Sequence, residues 1–197
     1  MHRKISASLT GIALASALAI SALSAGPNAY AQMAGHAASA PAAAPDTSPA
    51  GVIDQLITMV EGEFVPLAEA MPADKYDFAP TNGNFKGVRT FAQQVRHVIG
   101  ANYAFFGHAA SIKPNMPKLA DLKTKDQLVK ALKDSFAFAH QAAATLSPDN
   151  ALETVKPLDG VGTRSGLMVF ALIHANDHYG QLVEYLRMNG MVPPASR

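Results

Sequence analysis

Apolar residues recur at three- and four-residue intervals in four separate stretches of the chain, which is the pattern of amphipathic helices. Polar segments rich in proline and glycine separate these stretches, and no strand-like alternation of useful length is found. The predicted helices cover residues 51–71, 90–110, 124–146 and 163–189. Four helices of about 20 residues without a predicted strand indicate an all-α fold, a four-helix bundle.

Capping residues and helix breakers set the predicted boundaries. Thr90 and Thr124 are each followed three residues later by a glutamine, and this capping-box spacing marks the starts of the second and third helices. Pro66 falls inside the first helix and is expected to kink it or to cause a local irregularity. The segment 147–162 contains prolines and glycines and is predicted to be a loop, and Asn189-Gly190 is predicted to end the fourth helix.

The N-terminal residues have the features of an export signal. A basic start, His2-Arg3-Lys4, precedes an uncharged apolar run, and a small-x-small motif ends at Ala31. Residues 1–31 are therefore predicted to be a signal peptide cleaved after Ala31, which places the mature protein in the periplasm or outside the cell, without stable membrane insertion. The alternative is an uncleaved membrane anchor, because about 20 apolar residues can span a bilayer.

The composition of the next segment differs from that of the helices. Residues 32–50 are mostly alanine, proline, serine and glycine and include no branched aliphatic residue. Such a segment cannot offset the entropy lost on ordering by burying apolar surface. We therefore predict a flexible tether over residues 32–50 and a single bundle domain over residues 51–197.

Charge and cysteine content narrow the classes of function. The chain has 16 lysines and arginines against 15 acidic residues, a formal charge of +1. Removal of the predicted signal takes away Arg3 and Lys4, which leaves 14 basic against 15 acidic residues and a charge of −1. Neither value favours a nucleic-acid partner. Cysteine is absent, so any metal must be bound by histidine or carboxylate.

Two histidines of the fourth predicted helix have the spacing of metal ligands. His174 and His178 are four residues apart, so they share one helix face and can bind one ion together. Gln181 lies on the same face. His97, in the second predicted helix, is a candidate third ligand, because small neighbours such as Gly100 would let another helix approach closely. The alternative is that the pair arises by chance and that these are ordinary core or surface histidines.

Four further side chains are weaker candidates or are set aside. Asp177 is a candidate acceptor for an imidazole N–H, and Tyr103 is a candidate for the wall of the pocket. His108 is predicted to lie outside the site, since eleven residues separate it from His97, about 16 Å along a helix. His140, near the end of the third helix, has no partner at metal-binding spacing.

Two parts of the chain resemble the DinB-like family of four-helix bundles. They are the stretch from Arg89 through His97 to Phe106, and the run H-A-N-D-H-Y-G-Q-L-V-E-Y-L-R-M-N-G-M-V-P-P over residues 174–194. The segment M-P-A-D-K-Y-D-F-A-P, residues 71–80, is similar to the family's usual link between helices one and two. The resemblance implies a divalent-metal site formed by one histidine of helix two and an H-x-x-x-H pair of helix four. In this chain those positions are His97, His174 and His178.

Three neutral imidazoles leave at least one coordination position for water or substrate, as in catalytic metal sites. Zinc or nickel is the expected ion and iron is a further candidate, because imidazole suits all three. The expected function is an exported metal-dependent enzyme, hydrolase- or transferase-like, that acts on an unidentified small molecule, with Gln181 as the candidate catalytic group. The alternative is a non-catalytic bundle that binds a metal or ligand.

The resemblance is consistent with a homodimer. Characterised members of the family that this chain resembles include metal-dependent enzymes that use small cytosolic thiols. An exported chain would not meet those thiols, so we do not carry the thiol-transferase activity over to it.

Overall fold

The computed structural model describes residues 46–197, so the predicted export signal and most of the predicted tether lie outside the described residues. The described part contains four long α-helices and a short two-stranded hairpin, which confirms the prediction of a four-helix bundle. In chain order the elements are α1 (Pro49–Ala70), α2 (Phe91–Ala110), α3 (Lys125–Ala143), β1 (Thr154–Leu158), β2 (Val161–Thr163) and α4 (Arg164–Met188), with short 3-10 turns after α1, α2 and α4.

Side-chain caps begin each helix. Both predicted capping boxes are present. The hydroxyls of Thr90 and Thr124 accept hydrogen bonds from the backbone N–H groups three residues later, and the backbone N–H groups of the two threonines donate in return to the side-chain oxygens of Gln93 and Gln127. Ser48 caps α1, which therefore starts at Pro49, two residues before the predicted start of the domain. Helix α1 continues for four residues beyond Pro66, so the proline does not end it.

The segment between α3 and α4 differs from its prediction as a loop. It contains an antiparallel hairpin in which Leu158 pairs with Val161. The two turn residues, Asp159 and Gly160, have φ angles of 49° and 81°. Two consecutive positive φ values are characteristic of the Asp-Gly turn that matches the twist of paired strands. The prediction of a loop was wrong here because both strands are short and Pro157 interrupts the first.

The core lies between the four helices, with α1 and α2 each packed against both α3 and α4. Phe64 of α1 and Phe136 of α3 are fully buried, with their ring centroids 6.4 Å apart. Burial of such a side chain contributes about 1.5–3 kcal/mol to stability. One polar contact crosses this core: the amide of Asn102 donates a hydrogen bond of 3.1 Å to the buried hydroxyl of Ser135.

Helices α2 and α4 run antiparallel, and their contacts form a series of levels that we call the α2/α4 seam. From one end to the other, the seam contains an aromatic pair, a histidine cluster, an amide pair and a backbone contact. The paired residues are Phe105 with Phe170, His97 with His174 and His178, Gln94 with Gln181, and Arg89 with Tyr185. Within residues 46–197, no helix is both long enough and apolar enough to cross a membrane.

Candidate metal centre

The three histidines singled out from the sequence meet in the α2/α4 seam. One potential ligand atom from each of His97, His174 and His178 lies within 4.8 Å of the other two. The Nε2 atoms of His97 and His174 are 3.0 Å apart. The three ring centroids are separated by 4.6 to 5.0 Å, and the planes are steeply inclined to one another. We call this group the histidine cluster.

The helical spacing explains two of the three positions. His174 and His178 are one turn apart on α4, so both rings project from the same side of that helix towards α2. The expectation about Gly100 was wrong, however. A side chain at Gly100 would meet Leu119, which precedes α3, at 2.9 Å, so this glycine makes room for the connection to α3 and not for α4.

The geometry of the histidine cluster fits a shared metal ion. Two imidazole nitrogens that bind one ion at about 2.0–2.1 Å in a tetrahedral arrangement lie about 3.3 Å apart, close to the separation between His97 and His174. His178 is almost fully buried, and its Nδ1 atom has no hydrogen-bond partner among the described residues. A buried nitrogen without a partner is unfavourable unless another group satisfies it.

Electrostatics keep the histidine cluster in the neutral form that metals require. Burial is the main reason that the pKa of each of the three imidazoles lies below its ordinary value. For His178, burial and the two neighbouring histidines lower the pKa to about 4. At neutral pH the lone pairs of these imidazoles are therefore free of protons and available to a metal.

A hydrogen-bonded chain of polar side chains lies next to the histidine cluster. Gln94, buried on α2, donates from Nε2 to Oε1 of Gln181 at 2.7 Å, and Gln181 donates in turn to Asp177 at 2.8 Å. Asp177 therefore accepts a hydrogen bond from Gln181, and no imidazole among residues 46–197 donates to it, contrary to expectation. The role of Gln94 was missed from the sequence, although a glutamine among the apolar positions of α2 was a signal for it.

The other side of the histidine cluster is aromatic. The rings of Phe105 and Phe170 lie 5.7 and 6.3 Å from that of His174. These two side chains form an apolar wall and restrict the rotation of the His174 ring.

Tyr103 and His108 lie away from the histidine cluster. The ring of Tyr103 packs against Phe138 at 5.2 Å, and its side chain lines a separate cleft of about 590 Å³ next to the hairpin. His108 lines the same cleft, with its Nε2 atom 2.6 Å from the carbonyl oxygen of Lys156. Tyr103 is therefore not part of the wall of the candidate centre, and His108 lies outside it, as predicted.

His140 has two acidic partners that the sequence did not reveal. Its Nδ1 atom is 2.6 Å from Asp54, and its Nε2 atom is 3.2 Å from Glu61, both on α1. Burial acts to lower the pKa of His140, but the hydrogen bonds and charges of the two carboxylates raise it above its ordinary value. His140 thus acts as a polar link between α1 and α3.

The fold and the histidine cluster together define a four-helix bundle whose α2/α4 seam holds three histidines close enough together to bind a metal ion. The family profile described as the DinB superfamily matches residues 56–182, which include all three of them, and the chain belongs to this superfamily. The resemblance drawn from the sequence is thereby confirmed. No curated protein matches the chain.

Proposed function

We propose that the protein is an exported metal-dependent enzyme, hydrolase- or transferase-like, which binds zinc or nickel through His97, His174 and His178. The observation that carries the proposal is the convergence of three ligand atoms within 4.8 Å on two different helices. Three protein ligands form the set typical of catalytic metal sites, because they leave a position for a substrate. A divalent ion bound there supplies Lewis acidity that polarises the substrate's reacting bond.

The residues around the histidine cluster have separate roles in this proposal. Phe105 and Phe170 keep water away from one side of His174 and hold its ring in place. Gln181 is the candidate group that hydrogen-bonds the substrate, and its amide is oriented by Gln94 and Asp177. An amide that is held at both ends keeps its direction, which lowers the entropy cost of positioning a substrate.

The same amide contacts favour a second candidate function, a non-catalytic bundle that binds a metal or ligand. Each end of the Gln181 amide has one protein partner, so one N–H and one oxygen lone pair remain for any further contact. In a binding protein the two existing contacts would serve to join α2 and α4, and no substrate contact would be needed. The substitution Gln181→Ala distinguishes the two functions. It should reduce turnover if the protein is an enzyme, and it should leave metal affinity unchanged in either case.

Elemental analysis of protein purified from its native compartment tests the metal site directly. We expect about one equivalent of zinc or nickel in the wild type and strong loss of metal in the double variant His174→Ala/His178→Ala. His108→Ala is the matched control, because this histidine lies on α2 outside the cluster and should leave the metal content unchanged. Equal metal content in the wild type and the double variant would contradict the proposal.

A further inference from the structure

We propose that Arg89 binds an anionic group, a carboxylate or a phosphate, on the small molecule that reaches the histidine cluster, so that the site selects anionic ligands. This inference rests on the proposed metal-binding function and adds to it the chemical class of the ligand. Its basis is the placement of Arg89 at the end of the α2/α4 seam, its lack of an ionic partner among residues 46–197, and the charge of the site as a whole.

The backbone of Arg89 is fixed against α4. Its carbonyl oxygen accepts a hydrogen bond of 2.9 Å from the hydroxyl of Tyr185, whose side chain is buried. The next residue, Thr90, is the N-cap of α2 and is held by its capping box. Phe78 packs edge-on against Tyr185, with ring centroids 5.7 Å apart, and so secures the same region from the preceding loop. Arg89 is therefore attached to a rigid part of the seam, although its side chain is exposed.

The guanidinium of Arg89 makes no hydrogen bond and no ion pair with any residue in the range 46–197. Arg187 on α4, which is also exposed, differs, because its guanidinium pairs with Glu184 at 2.7 Å. The charge of Arg89 acts on the histidine cluster from this end of the seam. After burial, its charge is the next cause that lowers the pKa of His97, and it contributes in the same direction at His174 and His178.

The charges along the α2/α4 seam are distributed unevenly. Asp159, at the tip of the hairpin, acts on His174 and raises the pKa of that imidazole, against the larger lowering by burial. Asp177 acts on both histidines of α4 but is already hydrogen-bonded to Gln181. Asp159 of the hairpin therefore adds a negative charge near His174, whereas the positive charge of Arg89 acts on all three imidazoles.

Charge balance makes an anion the complementary ligand. Three neutral imidazoles leave the full double charge of a bound divalent ion uncompensated, and Arg89 adds a further positive charge. Guanidinium groups bind carboxylates and phosphates through two parallel hydrogen bonds, a geometry that lysine does not offer. A ligand with one group at the histidine cluster and an anionic group at Arg89 would use both charges.

Three hydroxamates, which share one metal-binding group, test this inference on the zinc-loaded full chain. Succinate monohydroxamate carries a carboxylate, phosphonoacetohydroxamate carries a phosphonate, and butyrohydroxamate is uncharged at the same end. Isothermal titration calorimetry at low ionic strength should show at least one anionic probe binding the wild type about three- to tenfold more tightly than butyrohydroxamate. The stronger of the two anionic probes identifies the preferred anion.

Variants separate Arg89 from the charge of the metal itself. Arg89→Gln should abolish the preference for the anionic probes and leave zinc content and butyrohydroxamate binding unchanged, and Arg89→Lys should keep part of the preference. Arg187→Gln is the matched control and should behave as the wild type. The fold should survive, because the backbone of Arg89 makes the structural contact, and circular dichroism checks this.

Different results would overturn the role of Arg89 and the proposed metal-binding function. A zinc-loaded wild type that binds butyrohydroxamate but shows no preference for either anionic probe overturns the role of Arg89 alone. The same holds if Arg89→Gln retains the full preference. A wild type that binds no zinc overturns the proposed function, and this inference with it.

Discussion

The Nε2 atoms of His97 and His174 lie 3.0 Å apart although 77 residues separate them in the sequence. Nothing in the local sequence brings them together. Their proximity results from the antiparallel packing of α2 and α4, which also places His178 beside them. The histidine cluster therefore depends on the tertiary fold, and changes of pH that act on its imidazoles affect folding as well as metal binding.

The histidine cluster should make the metal-free protein less stable at acidic pH. The pKa of His178 falls from 6.5 in the unfolded chain to about 4 in the folded protein. The unfolded state therefore binds more protons between these values, and the contribution of His178 to the free energy of unfolding is lost as pH falls through this window. The checks are urea unfolding of metal-free protein at pH 7 and 4.5, and an NMR titration of His178, in which an ordinary pKa near 6.5 would contradict the prediction.

Zinc affinity should persist to lower pH than it would for exposed histidines. Protons compete with the metal for imidazole lone pairs, and the lowered pKa values of the cluster reduce that competition near pH 6. Zinc affinity measured with a competing chelator should change little from pH 7.5 to 6.5 and fall as the pH approaches 4. A steep loss of affinity centred on pH 6.5 would show that the imidazoles are not shielded as the structure indicates.

His140 should have the opposite effect on stability. Its pKa is raised in the folded state, so its contribution is complete below the unfolded pKa near 6.5 and is lost as pH rises through the folded value. We expect His140→Gln to lower the free energy of unfolding by about 1 kcal/mol at pH 5.5, and by less at pH 8.5. Urea unfolding at the two pH values measures this difference. Asp54→Asn should reduce the same pH dependence, and a loss that is equal at both values would contradict the role of the ion pairs.

Two glycine substitutions should change stability in opposite directions. Gly160 occupies the hairpin turn at a φ of 81°, which disfavours a side chain, so Gly160→Ala should cost about 1 kcal/mol. Gly180 lies within α4, and a Cβ added there would meet no neighbouring atom within 4 Å, so Gly180→Ala should stabilise the protein by about 0.5–1 kcal/mol. Thermal unfolding of the two variants provides the comparison. A Gly160→Ala variant as stable as the wild type would contradict the prediction that a side chain is disfavoured at this positive φ.

The export proposal makes a prediction about the mature N-terminus. If residues 1–31 are a cleaved signal, protein isolated from the periplasm or the medium should begin at Gln32. Intact mass spectrometry determines this position, and blocking cleavage by Ala31→Leu should leave a larger, membrane-associated form. An intact Met1 on exported material would favour the uncleaved anchor.

Local signals in the sequence were sufficient to predict the four helices and the starts of α2 and α3, because capping boxes such as that of Thr90 depend on residues only three positions apart. The hairpin was missed because its strands are too short to show a pattern, although Asp159-Gly160 carried the turn signal. The ligand set could be assigned through the family resemblance. The carboxylates at His140, the contact of Gly100 with Leu119 and the position of Arg89 required the packing of the helices, which spacing along one helix does not reveal.

If the histidine cluster binds its metal ion, the arrangement of the α2/α4 seam also makes the stability of the fold depend on the supply of that ion. An unfolded chain does not hold His97 near the α4 pair, so an ion that binds all three would act as a reversible cross-link closing the long stretch of chain between the two helices. The melting temperature would then rise with the concentration of free metal. In a metal-poor environment the protein would become easier to unfold and to degrade, so its abundance would follow the availability of its ion.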